Sequence, residues 1–249
     1  MTGFSVMLKK ELRGNLRTHR LLIVTAVFVV MGLGTPLLLK YMHLLVPNEG
    51  VGIDLPVFTA FDVVGEYFST LGQFGLVAAI LVAMGAVARE REWGTAAMTL
   101  SKPVGTGVFI LAKLVALAVV FGIAMLVGAL GCYLYTAVLF HGVGGWEFLA
   151  GNLLVGLYLL VCIAVTLMTS CFFKNQLGCG AVALVLLIFL TAISAVPALR
   201  DYSPGALPSW GHGVVSGEGQ EAWGALAVSM ALVVLSTIVG WRVFRTKEL

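Results

Sequence analysis

Six apolar runs, each about the length of a membrane-crossing helix, dominate this chain: residues 21–42, 67–88, 114–137, 149–172, 177–197 and 222–241. Crossing a hydrocarbon core takes about 20 apolar residues per helix, and within that core only a helix or a closed barrel satisfies its own backbone. The runs are continuous and do not alternate, which selects helices. With 60% apolar and 11% charged residues and a mean hydropathy of +1.03, the 249 residues carry more apolar surface than a soluble fold of this length hides. The expectation is an all-α membrane protein, a single domain over residues 1–249 with six transmembrane helices.

Charge placement sets the orientation. If the N-terminus is cytoplasmic, all but Lys40 and Arg200 of the 15 lysines and arginines fall on cytoplasmic segments. Positive residues concentrate on the cytoplasmic side, so both ends are expected there, consistent with an even number of spans. The net charge of +3 therefore speaks of topology and not of nucleic acid. The run 21–39 follows basic residues as a signal peptide would, but it is long and lacks an Ala-x-Ala site, so it reads as a retained first span. The stretches around Pro47–Pro56 and Tyr202–Pro208 are rich in helix breakers and form the two long loops of the outer side, the second covering 198–221.

Residues 1–20 read as an amphipathic helix. At about 100° per residue, Phe4, Met7, Leu8, Leu12 and Leu16 share one side, and Lys9, Lys10, Arg13, Arg17 and Arg20 gather on the other. Such a helix lies along the membrane surface with its apolar face in the lipid boundary. Cys132, Cys162, Cys171 and Cys179 form no CxxC pair and read as small apolar fillers, not as a zinc or disulfide framework. His43, His141 and His212 fall on the outer side at spacings that suggest no metal site, and are expected as solvated loop residues.

Two segments stand apart from the apolar background. After the second run comes Ala88-Arg89-Glu90-Arg91-Glu92-Trp93-Gly94-Thr95, then Leu100-Ser101-Lys102-Pro103-Val104, with Lys113 opening the third run. Alternating charges followed by a short helix between Gly94 and Pro103 would project a small apolar patch ringed by charges, a surface suited to a protein partner. In the outer half of the second span, from just ahead of its apolar run, Asp62, Glu66, Ser69 and Gln73 recur at helical spacing on one face. Polar groups at that depth face a partner helix or a water-filled path, so this face is expected to line a pathway or pack against another subunit. A proton relay there is not expected, because no matching carboxylate or histidine falls in the other runs.

These residues carry a resemblance. The charged stretch with Gly94-Thr95, the Leu-Ser-Lys-Pro-Val that follows, Lys113, and Lys10-Glu11-Leu12 ahead of the first run resemble the corresponding segments of ABC-2 type permeases, the membrane subunits of ATP-binding-cassette transporters. Trp93 departs from that pattern, which more often has a small or polar residue there. The resemblance implies that residues 89–107 hold a coupling loop seated on a cytoplasmic ATPase, with Arg89, Glu90, Arg91, Glu92, Gly94, Thr95, Leu100, Ser101 and Pro103 as contacts. It also implies that residues 1–20, including Lys9, Lys10, Glu11 and Arg13, are the interface helix beside it.

The implied partners are two copies of an ABC ATPase and a second permease subunit, a homodimer mate or a related chain, in the lipid of a prokaryotic inner membrane. The chain has no Gly-x-x-x-x-Gly-Lys-Ser/Thr loop, so ATP and magnesium are expected in the partner, with no cofactor or metal held here. A secondary transporter would want charged, discontinuous helices at matching places in two halves, and a membrane enzyme clustered His, Asp or Glu; neither pattern is present. Export is implied by the resemblance alone, and the substrate is left open.

Overall fold

The structure, a computed structural model, describes residues 2–45, 58–92, 105–140, 142–217 and 221–247. Of the expected coupling contacts, Gly94, Thr95, Leu100, Ser101 and Pro103 lie outside the described residues, as do His141 and the side chain of His43.

All regular structure among the described residues is helical. In chain order these are α1 (Thr2–Arg17), α2 (Arg20–Leu45), α3 (Ala60–Ala83), α4 (Ala88–Glu92), α5 (Thr106–Phe140), α6 (Gly145–Phe172), α7 (Gln176–Ala192), α8 (Leu207–Ser216) and α9 (Trp223–Lys247), with three short 3-10 turns between α7 and α8. Six stretches are long and apolar enough to cross a membrane: Arg20–Met42, Ala60–Glu92, Thr106–Phe140, Gly145–Phe172, Gln176–Ala195 and Trp223–Thr246. The second begins earlier than its apolar run because Thr59 and Asp62 form a capping box. The Asp62 N–H donates to Thr59 Oγ1 at 3.3 Å, and the Thr59 N–H donates to Asp62 Oδ2 at 2.8 Å.

The spans divide into an inner and an outer set. The most apolar windows of α3, α5 and α6 are 61%, 56% and 61% buried, against 28%, 22% and 22% for α2, α7 and α9. At the centre, α6 touches α3, α5, α7, α8 and α9, and its Leu159, Ile163 and Leu167 are fully enclosed. One end of this core is an aromatic cluster of Tyr67, Phe68, Tyr133 and Phe148, with ring centroids as close as 5.4 Å. In lipid, helices associate through close packing more than through water exclusion. Accordingly α2 crosses α5 where Gly32 meets Gly128, and a side chain on Gly128 would stand 2.6 Å from the Phe28 carbonyl oxygen.

Both termini gather at one end of the bundle. There Phe244 of α9 stacks on Phe109 of α5 with centroids 5.3 Å apart, and the Trp241 indole N–H donates to Thr106 Oγ1 at 3.1 Å. The N-terminal helix α1 packs against α5 at the same end. A sharp turn through His19, in the left-handed region at φ 56°, separates α1 from the first span.

Candidate functional site

At the terminal end the sequence builds a polar junction of three elements. Lys113 lies near the start of α5, on a face turned inward, and is only 3% exposed. Its ammonium donates to Glu11 Oε1 of α1 at 3.0 Å and to Glu90 Oε1 of α4 at 2.8 Å, and it sits 4.8 Å from the Phe109 ring centre. A buried ammonium is tolerated only when paired and hydrogen-bonded, and here two carboxylates from separate helices supply that. Arg20, at the start of α2, is within electrostatic reach of both glutamates and of Arg89. These side chains edge a cleft of about 400 Å³ between α1, α2, α4 and α5.

The placement of α1 follows from this junction. Its protein-facing stripe holds Met7, Glu11 and Asn15, one turn apart, with Phe4, Leu8 and Leu12 half-buried beside them. Lys9, Lys10 and Arg13 are exposed as the sequence pattern suggests, but Leu16, expected on the apolar side, is 58% exposed. The reason is that Glu11 turns inward to reach Lys113 and brings its own stripe against α5.

Residues 84–87 interrupt the second span, and a serine of α6 bridges the break. Ser170 Oγ donates to the Met84 carbonyl at 2.9 Å and accepts from the N–H groups of Val87 at 3.1 Å and Ala88 at 2.9 Å. A hydroxyl has one proton and two lone pairs, and all three are used. Ser170 is fully buried, so it replaces helix hydrogen bonds that water does not reach. Beyond the break Arg91 donates to the Cys171 carbonyl at 2.8 Å, fixing α4 to the end of α6. Of the four charged residues expected to meet a partner, Glu90 and Arg91 are therefore directed into the chain itself, while Arg89 and Glu92 are exposed.

At the opposite end the polar residues of α3 share one face. Asp62, Glu66, Ser69 and Gln73 all line one cavity of about 610 Å³. Its walls include Tyr158 of α6, Thr191 of α7, and Pro208, Ser209 and His212 of α8. The helix α8 fits because α3 and α6 present glycines to it. Pro208 sits beside Gly72, His212 against Gly65, and Gly151 of α6 meets Gly211 backbone to backbone. His212 is thus no solvated loop residue: it is half-buried on a helix and electrostatically coupled to Asp62. The apolar face of α8, with Leu207 and Trp210 buried, draws this segment into the bundle.

Sequence reasoning assigned no role to Lys113, Ser170 or His212. Lys113 carried a signal, a charge at the head of a long apolar run, which marks a candidate functional position. Ser170 carried none, since serine in a membrane helix is common and the break it holds is disguised by apolar Met84, Ala86 and Val87.

Comparison with known proteins agrees with this architecture. The family model described as ABC-2 family transporter protein matches residues 5–249. The chain is also similar to an uncharacterized transmembrane protein, YxlG, of Bacillus subtilis (strain 168), at 24% identity over 258 aligned residues that cover 100% of this chain and 99% of the relative.

Proposed function

The chain belongs to the ABC-2 family of transporter proteins and is the multi-pass membrane permease subunit of an ABC transporter, associated with an ABC ATPase; from that premise we propose that it forms half of an ATP-driven exporter. A second permease subunit, the same chain or a relative, completes the pathway, and two ATPase copies hold the ATP and magnesium. Both termini lie in the cytoplasm of a prokaryotic cell, and the inner membrane surrounds the six spans. Residues 198–221 face outward, residues 1–20 are the interface helix, and residues 89–107 the coupling loop. The polar face of α3 lines the pathway between the two permease subunits.

The observation that carries this reading is the bridge from Lys113 to Glu11 and Glu90. The segment that follows α4 is the one expected to seat on the ATPase. Because α4 is tied through Lys113 to both α1 and α5, a push on that segment moves the N-terminal helix and the third span together. The break at 84–87 sets α4 off from the membrane-packed α3, and the hydrogen bonds of Ser170 and Arg91 carry the same push to the end of α6. Nucleotide-driven closure of the ATPases then shifts the bundle between inward-open and outward-open packings, as rigid elements moving about a hinge do.

Site-directed cross-linking tests it. The four native thiols are buried, so Thr95→Cys gives the permease one accessible thiol for a thiol–amine cross-linker, in complex with an ATPase stripped of its own cysteines. The reading expects an adduct with the ATPase from Thr95→Cys and none from Gly217→Cys. An adduct from Gly217→Cys, or none from Thr95→Cys, would contradict it.

A further inference from the structure

We propose that the cavity between α3, α6, α7 and α8 binds organic cations, molecules with a positive charge on a hydrophobic body. The inference rests on reading this face as the transport pathway, and it adds the chemical class of what passes.

The size and lining of the cavity are those of a small-molecule site. About 610 Å³ is enough for a drug-sized ligand, and such sites are largely apolar with a few polar groups that fix orientation. Here Leu39, Phe58, Leu76, Tyr158 and Pro208 supply apolar wall. The polar groups are graded along α3. Asp62 and Glu66 stand near its start, whereas Gln73, about 10 Å further along the axis than Glu66, is an uncharged amide. A ligand with its charge at the mouth and its apolar body directed inward matches that gradient.

The sign of the charge follows from what the lining lacks. Among the described residues that line the cavity there is no lysine or arginine. Counting His212 as a cation still leaves the two carboxylates with one net negative charge. Lys40, next in sequence to the lining residue Leu39, turns elsewhere: its ammonium donates to the Leu139 carbonyl at 3.3 Å and sits 5.3 Å from the Phe140 ring centre. Among the described residues, Asp62 meets its cap through Oδ2, and Glu66 accepts from the Thr70 hydroxyl of its own helix at 3.2 Å. A cationic ligand gains attraction from both exposed carboxylates, whereas a neutral one gains none and an anionic one is repelled.

The test uses the full chain, with its ATPase, in phosphatidylcholine nanodiscs, and two probes of similar body and different charge: tetraphenylphosphonium and uncharged triphenylphosphine oxide. Tetraphenylphosphonium is expected to bind saturably above empty nanodiscs, and an excess of the oxide should not displace it. Glu66→Gln should weaken that binding by about tenfold or more, a loss of one charge contact, while Glu66→Asp stays within about threefold. Absence of saturable binding, displacement by the oxide, or undiminished binding to Glu66→Gln would each overturn the proposal. The two wild-type arms decide it even if the Glu66 variant fails to fold. Retention of the ATPase on the same nanodiscs reports separately on the permease reading, which stands or falls without the cation.

Discussion

Replacing Lys113 by methionine removes the ammonium and keeps an unbranched apolar stem of four heavy atoms. At an effective dielectric of about 20, each contact of about 3 Å is worth about 6 kcal/mol before desolvation is subtracted. Most of that gain offsets the removal of the ammonium from water, so the net value of the pairs is small. Orphaning the partners is what costs: losing one member of a buried ion pair typically destabilises by about 3–5 kcal/mol. Glu11 and Glu90 keep 15% and 24% of their exposure, which places Lys113→Met at the lower end, about 3 kcal/mol. The triple variant Lys113→Met, Glu11→Gln, Glu90→Gln leaves no orphaned carboxylate, although Arg20 loses the two glutamates within its reach, and it should recover most of the loss, since neutral replacements for buried ion pairs are often tolerated. Stability and coupling then separate. The triple variant should melt well above Lys113→Met in detergent, followed by size-exclusion chromatography after heating, yet stimulate its ATPase poorly because α1, α4 and α5 are no longer tied. A single Lys113→Met as stable as wild type would refute the energetic reasoning. A triple variant with full ATPase stimulation would refute the role of the triad in transmission.

Two further substitutions probe the parts that position this junction. Ser170→Ala removes the hydroxyl that spans the break at 84–87 and leaves two buried N–H groups and the part-buried Met84 carbonyl to find other partners; it should cost about 2–4 kcal/mol and speed hydrogen exchange at Val87 and Ala88, and slow exchange there would contradict the clamp. Gly128→Ala forces α2 and α5 apart at the Phe28 carbonyl and should lower stability by about 1–3 kcal/mol, measured by the same melting assay, with no loss if the crossing is loose.

How much of this was legible depended on the range of the interaction. The six spans are set by the thickness of the membrane, so composition over about 20 residues suffices to find them. The grouping of Asp62, Glu66, Ser69 and Gln73 was legible because it lies on one helix, where spacing alone fixes the shared face. What escaped depended on partners distant in sequence. Glu11 and Lys113 are 102 residues apart and Ser170 and Val87 are 83 apart, and no local pattern joins them. The turn of α1 that exposes Leu16 and buries Glu11 is of the same kind, a local amphipathic preference overridden by one tertiary ion pair. His212 was hidden because a Gly- and Pro-rich stretch reads as loop, whereas glycines on α3 and α6 let it enter the bundle as α8.

The account as a whole turns on whether this chain works only as the membrane partner of a separate ATPase. The most direct measurement is ATP turnover in proteoliposomes containing the permease alone, the ATPase alone, or both. The account predicts no turnover by the permease alone and an ATPase rate that changes severalfold when the permease is present. Turnover by the permease freed of ATPase, or an ATPase whose rate is the same with and without it, would contradict the account.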